Sequence, residues 1–298
     1  MQYSTPQERE LTLALNAAEG RLMLALGRHV PPPDEQTEGQ EAEVLFAQEW
    51  LAPAQGVELL VPALDQAMRA LGLAPRHLGR VAVVNGPGSF TGLRLTTVSA
   101  AALARALGLT QAALPYLPLL AAAACPYCAP PPEKETQLWV ITHARRDLAH
   151  RQVFSADTAL RELSPLSALR PHEIAAELRA APGPVWLLGS GLSRSRTFFE
   201  RALEGVQGLR MLPPAFDHPS PAFLLRKALA LPSAAYAVRD IAPLYARPSE
   251  AEENLPHIAA KLGLDPQTAQ NRLDALLTEE IKETLVNSGL RPEPRWGE

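Results

Sequence analysis

The sequence lacks several features that mark particular classes of protein. Two cysteines in 298 residues are too few for a disulfide framework. No apolar run approaches the roughly 20 residues needed to cross a bilayer, and the N-terminus is polar and acidic rather than basic and then apolar. These absences predict a cytoplasmic protein with neither a disulfide scaffold nor a membrane contact.

A strong charge of one sign is also missing. The formal net charge is −4, and the basic residues are scattered along the chain. A surface that holds a nucleic-acid backbone needs clustered cations, so no direct nucleic-acid contact is expected. Hydrophobic residues make up 47% and charged residues 20%, which argues against disorder and indicates a globular chain with one large or two linked lobes.

The predicted elements occur twice in the same order. A hairpin, a helix, a strand, a glycine-rich turn and a second helix follow one another over residues 11–107. Residues 138–199 repeat this plan, with a strand at 185–188 before the second glycine-rich turn. The duplication predicts an α/β fold of the actin-like or sugar-kinase-like (ASKHA) type, with two lobes and mixed sheets.

The lobes are bounded by changes in composition. We place the N-terminal lobe at residues 1–118 and the C-terminal lobe at 119–250. Residues 251–298 are predicted as a helical extension, since Asp265 and Pro266 are typical of a helix start. Residues 31–43 are rich in proline and acid and are predicted as an exposed loop.

The most specific motif follows the strand predicted at 81–85. It reads Gly86-Pro87-Gly88-Ser89-Phe90-Thr91-Gly92-Leu93-Arg94. Its glycines allow a chain reversal and a close backbone approach, and Ser89 or Thr91 can cap the following helix. A helix start can bind an anion, so a residual nucleotide contact is one interpretation. The other is a turn that only packs, because the run lacks a Walker lysine and dinucleotide-binding spacing.

This motif resembles the signature of the TsaB (YeaZ) family, and weaker similarity extends over residues 11–252. The family is the non-catalytic paralogue of TsaD in bacterial synthesis of threonylcarbamoyladenosine in transfer RNA. The resemblance implies a scaffold subunit that binds and activates a TsaD-like threonylcarbamoyltransferase, together with a TsaE-like ATPase component. It also implies a homodimer in isolation and no cofactor of its own, with nucleotide and metal on the TsaD-like partner.

The resemblance further implies that the helices predicted at 55–73 and 93–107 form the partner interface. We predict that small side chains on the second helix allow close approach of a partner, while Leu95, Val98 and Ala102 face the sheet. The alternative is that the C-terminal segment of the chain itself covers these helices. The predicted interface consists of Val57, Leu60, Val61, Leu64, Ala67, Met68, Leu71, Thr96, Thr97, Ala100, Ala101 and Ala104.

An active enzyme is the first alternative, as a kinase-like or ATP-hydrolysing protein. Active members of the fold carry an acidic residue at the end of the first strand, where this sequence has Asn16 followed by Ala17 and Ala18. An amide is a poor ligand for magnesium, which favours carboxylates and phosphate oxygens. His143 stands where the family usually has Asp, and no His-x-x-x-His pair is present. We therefore predict no catalytic and no metal-binding residues.

Two further motifs suggest other functions. Cys125-Pro126-Tyr127-Cys128 has the letters of a redox motif, but it follows a predicted helix instead of opening one, so a chance pair is favoured. The tail around 257–285 has helix-turn-helix spacing, yet its second helix carries Asp274, Glu279 and Glu280, which disfavours DNA binding. A homodimeric regulator acting through this tail remains the other alternative.

Overall fold

The computed structural model describes residues 8–30, 41–51, 56–128, 135–246 and 250–269, together with 271, 272 and 275. The chain divides into two compact units, residues 1–246 and 247–298. The strands are β1 (Leu11–Asn16), β2 (Arg21–Val30), β3 (Glu41–Leu51), β4 (Leu78–Gly86), β5 (Thr110–Pro115), β6 (Gln137–Arg145), β7 (Leu148–Ser155), β8 (Ser167–Leu169), β9 (Val185–Leu188) and β10 (Leu209–Met211). The helices are α1 (Gly56–Ala70), α2 (Phe90–Leu107), α3 (Tyr116–Ala124), α4 (Pro171–Ala180), α5 (Ser190–Arg194), α6 (Arg196–Ala202), α7 (Pro221–Leu229) and α8 (Glu250–Lys261).

The strands of the first unit form two five-stranded mixed sheets with the same topology. Sheet 1 has the order β3-β2-β1-β4-β5, and sheet 2 has the order β10-β9-β6-β7-β8. In each sheet an antiparallel hairpin, β1–β2 or β6–β7, is extended by parallel strands on one side and an antiparallel strand on the other. The predicted duplicated α/β fold is therefore confirmed.

Alternation along the central strands sends side chains to opposite faces of each sheet. In β1, Leu13 packs with α1 and α2, while Ala14 packs in the core that contains α3 and α7. In β6, Ile141 packs with α4, α5 and α6, while Val140 joins the core of α3 and α7. The first unit is thus layered as helices, sheet 1, helices, sheet 2 and helices, with α3 and α7 inside.

The C-terminal part of the first unit completes the first lobe. Helix α7 packs on β1, β2 and β3, although it lies in the segment predicted as the C-terminal lobe. Farther along, Ala237 forms a β-bridge with Gln111 of β5. The predicted division into 1–118 and 119–250 therefore does not follow the packing, because the chain crosses between the sheets and then returns.

Strand β3 corrects the loop predicted at 31–43. It begins at Glu41 and pairs with β2 over its whole length, so residues 41–43 are strand rather than loop. The strand lies at the edge of sheet 1 and is mostly half-buried or exposed, which explains its polar sequence. Residues 31–40 lie outside the described residues.

The second unit is helical where it is described. Helix α8 is followed by Gly263 at φ +70°, a left-handed conformation that favours glycine. The side chain of Asp265 accepts hydrogen bonds from the Thr268 amide at 2.8 Å and the Thr268 hydroxyl at 2.7 Å, and residues 266–269 are helical as expected. The remaining predictions for the 251–298 extension fall mostly on residues outside the described ranges. Within the described ranges, no helix combines the length and apolar character that a membrane crossing requires.

Candidate functional site

The signature motif forms the connection between β4 and α2. Gly86 ends β4 at φ +124° and is joined to Pro87 by a cis peptide bond. The Ser89 hydroxyl oxygen accepts a hydrogen bond from the Gly92 amide at 3.3 Å. Of the two predicted caps, Ser89 therefore fills the role and Thr91 does not.

Two glycines of the motif hold it against the β1–β2 hairpin turn. A Cβ atom at Gly88 would lie 2.3 Å from the Ala18 carbonyl oxygen, and one at Gly92 would lie 1.9 Å from the Ala17 carbonyl oxygen. The Ser89 amide donates to the Ala18 carbonyl at 2.6 Å. Both glycines are therefore needed for backbone packing, which favours the packing interpretation of the motif over the anion-binding one.

The side chain of Asn16 shapes the hairpin turn that receives the motif. Its Oδ1 accepts a hydrogen bond from the Ala18 amide at 2.9 Å, and its Nδ2 lies 3.4 Å from Met23 Sδ. Asn16 is almost completely buried. The side-chain oxygen of Asn16 is therefore engaged by the turn itself.

Glu19, which sequence reasoning missed, is a carboxyl group buried where the two lobes meet. Its Oε1 accepts from the Ser190 hydroxyl at 2.5 Å and from the His143 amide at 3.2 Å. Its Oε2 accepts from the Tyr116 hydroxyl at 3.1 Å. Because these partners come from α5, β6 and the start of α3, one side chain of the first hairpin links sheet 1 to sheet 2.

Burial determines the charge of this cluster. It raises the pKa of Glu19 to about 7, although the hydrogen bonds from Ser190, Tyr116 and His143 oppose the rise. Burial, aided by the Arg21 guanidinium, lowers the pKa of His218 to about 4. The His218 Nδ1 and Glu19 Oε2 atoms lie 3.8 Å apart, but a neutral imidazole forms no ion pair there at neutral pH.

A cleft of about 500 Å³ opens over this cluster. Asp217 lies on its wall and accepts from the Ser193 hydroxyl at 2.9 Å, and burial raises the pKa of this carboxyl. Arg21 and Arg194 also line the cleft. In the described part of the chain, no three His, Cys, Asp or Glu side chains are placed to hold a metal ion together.

The sequence signal for Glu19 was weak. It is a single acidic residue between Ala18 and Gly20, three residues beyond Asn16, the strand end at which an acidic ligand is expected. Its partners lie 97 to 171 positions away in the sequence. Only the duplicated topology, which brings the two hairpins and the start of α3 together, reveals the cluster.

Most of the predicted interface residues face the core of the chain itself, which corrects that prediction. Val61 and Leu71 are exposed by 66% and 39%, and the side chain of Val57 lies outside the described residues. The buried positions are Leu60, Leu64, Ala67, Met68, Thr96, Thr97, Ala100, Ala101 and Ala104.

The inner face of α2 was predicted wrongly except at Leu95, which is half-buried and packs against the core on sheet 1 as expected. Its small side chains let the helix lie close to sheet 1, and the Thr97 hydroxyl is satisfied by the Leu93 carbonyl at 2.8 Å. Val98, which was predicted to face the sheet, is 65% exposed, and Ala102 is exposed as well. Small residues therefore mark the inner face of this helix, not a partner surface.

The C-terminal segment of the first unit contacts α2 near both of its ends. The Tyr245 ring stacks on Phe90 with centroids 5.1 Å apart, and the Leu244 amide donates to the Asn85 carbonyl at 2.6 Å. Arg105 and Asp240 form an ion pair. The chain's own C-terminal segment therefore covers α2 at its start and near Arg105, as the alternative prediction has it. Val98 stays exposed.

The cysteine pair has no features of a redox site. Cys125 follows the last residue of α3, and its thiol lies 3.2 Å from the Asp157 carbonyl oxygen. Burial raises the pKa of Cys128 to about 12 and also raises that of Cys125. A reactive cysteine needs a lowered thiol pKa, so the prediction that the motif is a chance pair agrees with the structure.

Comparisons with known proteins fit this geometry. The family model described as TsaD, tRNA N6-adenosine threonylcarbamoyltransferase, matches residues 51–152, about one third of the chain. The matched segment includes α1, the signature motif and α2. No curated protein gives a significant match to the sequence.

Two solved structures share the fold over nearly their whole length. YeaZ from Pseudomonas aeruginosa is 19% identical, with 79% of this chain and 99% of that chain covered at a TM-score of 0.57. An uncharacterised protein with similarity to the peptidase YeaZ from Pseudomonas aeruginosa is 20% identical, with 80% of this chain and 100% of that chain covered at a TM-score of 0.59. The chain therefore has the fold of these two structures, and the segment that the family model matches contains the complete signature motif.

Proposed function

We propose that this chain is a non-catalytic subunit that binds and activates a TsaD-like threonylcarbamoyltransferase, which modifies N6 of adenosine in transfer RNA. The observation that carries the proposal is a set of exposed apolar side chains on α1, just beyond its end and on α2, within the segment that the family model matches. We name this the α1/α2 surface and define it by Val61, Leu71, Val98 and Ala102.

The α1/α2 surface has the properties of a protein-binding surface. Val61 and Val98 are each about two-thirds exposed, at 66% and 65%. The two helices touch, since a Cβ atom at Gly56 would lie 2.7 Å from Leu95 Cδ2. Fully burying a valine contributes about 1.5 kcal/mol or more, so covering both by a partner helix would stabilise a complex appreciably.

The hydrogen bonds of Asn16, at the end of β1, and of Glu19, in the cleft, support a non-catalytic role. The amide of Asn16 is used by its own turn, and the Glu19 carboxyl is occupied by three hydrogen bonds. A general base or a magnesium ligand needs a lone pair directed at the cleft. The proposal therefore assigns nucleotide and metal to the TsaD-like partner, with a TsaE-like ATPase as a further component.

A nucleotide-binding enzyme is the second candidate function. The observation in its favour is the cleft itself, with Arg21 and Arg194 near the buried Glu19 and Asp217. Tight binding of magnesium-ATP by the purified chain, measured by calorimetry, would favour this candidate over the scaffold.

The test is a mixture of the purified chain with the TsaD-like protein of the same organism. We expect co-elution and a higher yield of modified transfer RNA than with the enzyme alone. The double variant Val61→Glu/Val98→Glu should abolish both, because it places two carboxylates in an apolar interface. A homodimer of the isolated chain through the same surface should be lost as well.

A matched control is Val238→Glu, because Val238 is 87% exposed and lies outside the α1/α2 surface. It should leave co-elution and activation unchanged. If the double variant co-elutes as well as this control, the α1/α2 surface is not the interface. If the unaltered chain does not change the modification yield, the activating role itself is refuted.

A further inference from the structure

A pocket of about 850 Å³ lies at one end of sheet 2, apart from the α1/α2 surface. Three elements form it: the β6–β7 turn, the start of α4 and the junction of α5 with α6. Its lining includes four arginines, Arg145, Arg146, Arg170 and Arg194. We name it the arginine pocket.

Arginines outnumber acidic residues among the described lining residues of the arginine pocket. Asp147 is the acidic residue among the lining residues that the structure describes, and it lies 3.8 Å from Arg146 with both side chains almost fully exposed. Such an exposed pair is strongly screened by water. Within the described ranges, Arg170 and Arg194 form no ion pair, and His172 adds a further nitrogen donor to the wall. The nearby Glu173 directs its carboxylate to the backbone amide of Arg170 at 2.6 Å.

Several guanidinium groups around one open pocket favour a ligand with several anionic oxygens. A guanidinium presents paired N–H donors that match two oxygens of a phosphate. The four arginines come from three different elements, so one small phosphate cannot use them all in the same way. A chain of phosphates, as in a nucleic-acid backbone, can contact them in succession.

An aromatic ring stands in the same pocket. Phe198 is 40% exposed, and its ring meets Phe199 edge to face with centroids 5.4 Å apart. Because Phe199 is fully buried, it holds the Phe198 ring in place and leaves one side accessible. Unpaired bases of RNA stack on exposed aromatic rings beside basic side chains.

We propose that the arginine pocket binds an RNA strand, with the arginines on its phosphates and Phe198 against an unpaired base. The choice of transfer RNA as this strand rests on the proposed function. The net charge of −4 and the scattered basic residues predicted no such contact. The fold changes that expectation because it brings Arg145, Arg170 and Arg194 together from distant parts of the sequence.

The experiment measures binding of a labelled transfer RNA transcript to the full-length chain without the TsaD-like protein, over a range of sodium chloride concentrations. The RNA contact and the activating role can therefore fail separately. We expect binding that weakens as salt rises. The double variant Arg170→Glu/Arg194→Glu should bind at least about tenfold more weakly. The slope of log affinity against log salt concentration should also become smaller by about 1.5, since each lost phosphate contact lowers this slope by about 0.7 to 0.9.

The matched control is Arg226→Glu/Arg239→Glu, which makes the same change in net charge at exposed arginines outside the pocket. Its affinity should change less than about twofold. Equal losses in the two double variants would overturn the proposal, because the effect would then come from net charge alone. If the glutamate pair fails to fold by circular dichroism, Arg170→Gln/Arg194→Gln replaces it with the same expected direction.

Phe198→Ala separates RNA from other anions. It should weaken binding of a short single-stranded RNA by about fivefold or more and leave binding of inorganic polyphosphate unchanged. Equal binding of RNA by the variant and the unaltered chain would refute the base contact. A competition assay compares displacement of the labelled transfer RNA by polyglutamate and by unlabelled RNA. Displacement by both at the same concentration would identify an acidic protein as the ligand and overturn the proposal.

Discussion

The two hairpin turns of the first unit hold equivalent places in the two sheets, but their surroundings are opposite. The β1–β2 turn carries Glu19, which is buried among groups from the other lobe. The β6–β7 turn carries Arg146 and Asp147, whose side chains are 96% and 87% exposed. A duplicated fold has thus used one turn to join the lobes and left the other open to solvent.

The turns that follow β4 and β9 show the same relation in their glycines. Gly88 and Gly92 pack against the backbone of the β1–β2 turn, while Gly189 and Gly191 pack against the backbone within β6, at Ile141 and Thr142. Each glycine pair lets a strand-to-helix turn approach a hairpin closely. The hairpin turns differ in burial, since the first is buried between the lobes and the second is open to solvent. We therefore propose that the first repeat joins the lobes and the second contacts the ligand.

The largest expected effect comes from filling the glycine contact of the first repeat. In Gly92→Ala the new Cβ would lie 1.9 Å from the Ala17 carbonyl oxygen, against 2.8 Å from the Thr142 carbonyl carbon in Gly191→Ala. We expect Gly92→Ala to lower the free energy of unfolding by about 3 kcal/mol and Gly191→Ala by about 1 to 2 kcal/mol. Denaturant unfolding measures both, and a smaller loss at Gly92 than at Gly191 would contradict the argument.

A second prediction uses the buried carboxyl of the first turn. The pKa of Glu19 is raised from 4.5 to about 7, so between these pH values the folded chain keeps a proton that the unfolded chain releases. The free energy of unfolding therefore falls as pH rises through this window. Glu19→Gln removes the fall, and its advantage over the unaltered chain should grow from pH 4 to pH 8 by up to about 3 kcal/mol.

His218 opposes this trend in the unaltered chain. Its pKa is lowered from 6.5 to about 4, so between these pH values the unfolded chain takes up a proton that the folded chain excludes. This term makes the free energy of unfolding rise with pH, and it partly hides the effect of Glu19 below pH 6.5. In Glu19→Gln only the His218 contribution remains, so the free energy of unfolding should rise with pH. Thermal melts from pH 4 to pH 8 measure this dependence. Parallel pH profiles of the two proteins would show that Glu19 is not a buried acid, and the exposed Glu204→Gln serves as the control.

The sequence predicted the parts of the fold that depend on local pattern. The β6–β7 hairpin, β9 and the glycine-bearing turns have strong short-range signals, and they lie where expected. The edge strand β3 was missed because its half-exposed surface carries polar residues. Helix α7 was not anticipated, and its return to sheet 1 depends on packing across the whole unit.

The site was harder to predict for the same reason. Ala100 and Ala104 were placed outward because small residues suit a helix contact, but the contact that they make is with sheet 1 of their own chain. Composition alone does not say which of two possible neighbours a small residue approaches. The cluster around Glu19 and the arginine pocket both join residues from distant segments, so no local pattern could show them.

The smallest expected effect compares the last residue of each hairpin turn. Gly20 has φ +70° before β2, and Asp147 has φ +59° before β7, so both adopt the left-handed conformation. Gly20→Ala should lower the free energy of unfolding by about 1 kcal/mol, because a Cβ atom is strained there. Asp147→Gly relieves that strain but raises the conformational entropy of the unfolded chain. The two effects oppose each other, so the free energy of unfolding should change by no more than about 0.5 kcal/mol. Denaturant unfolding of both variants measures these values, and a loss above about 1 kcal/mol in Asp147→Gly would mean that the second turn is held by contacts of its side chain, contrary to the open turn described above.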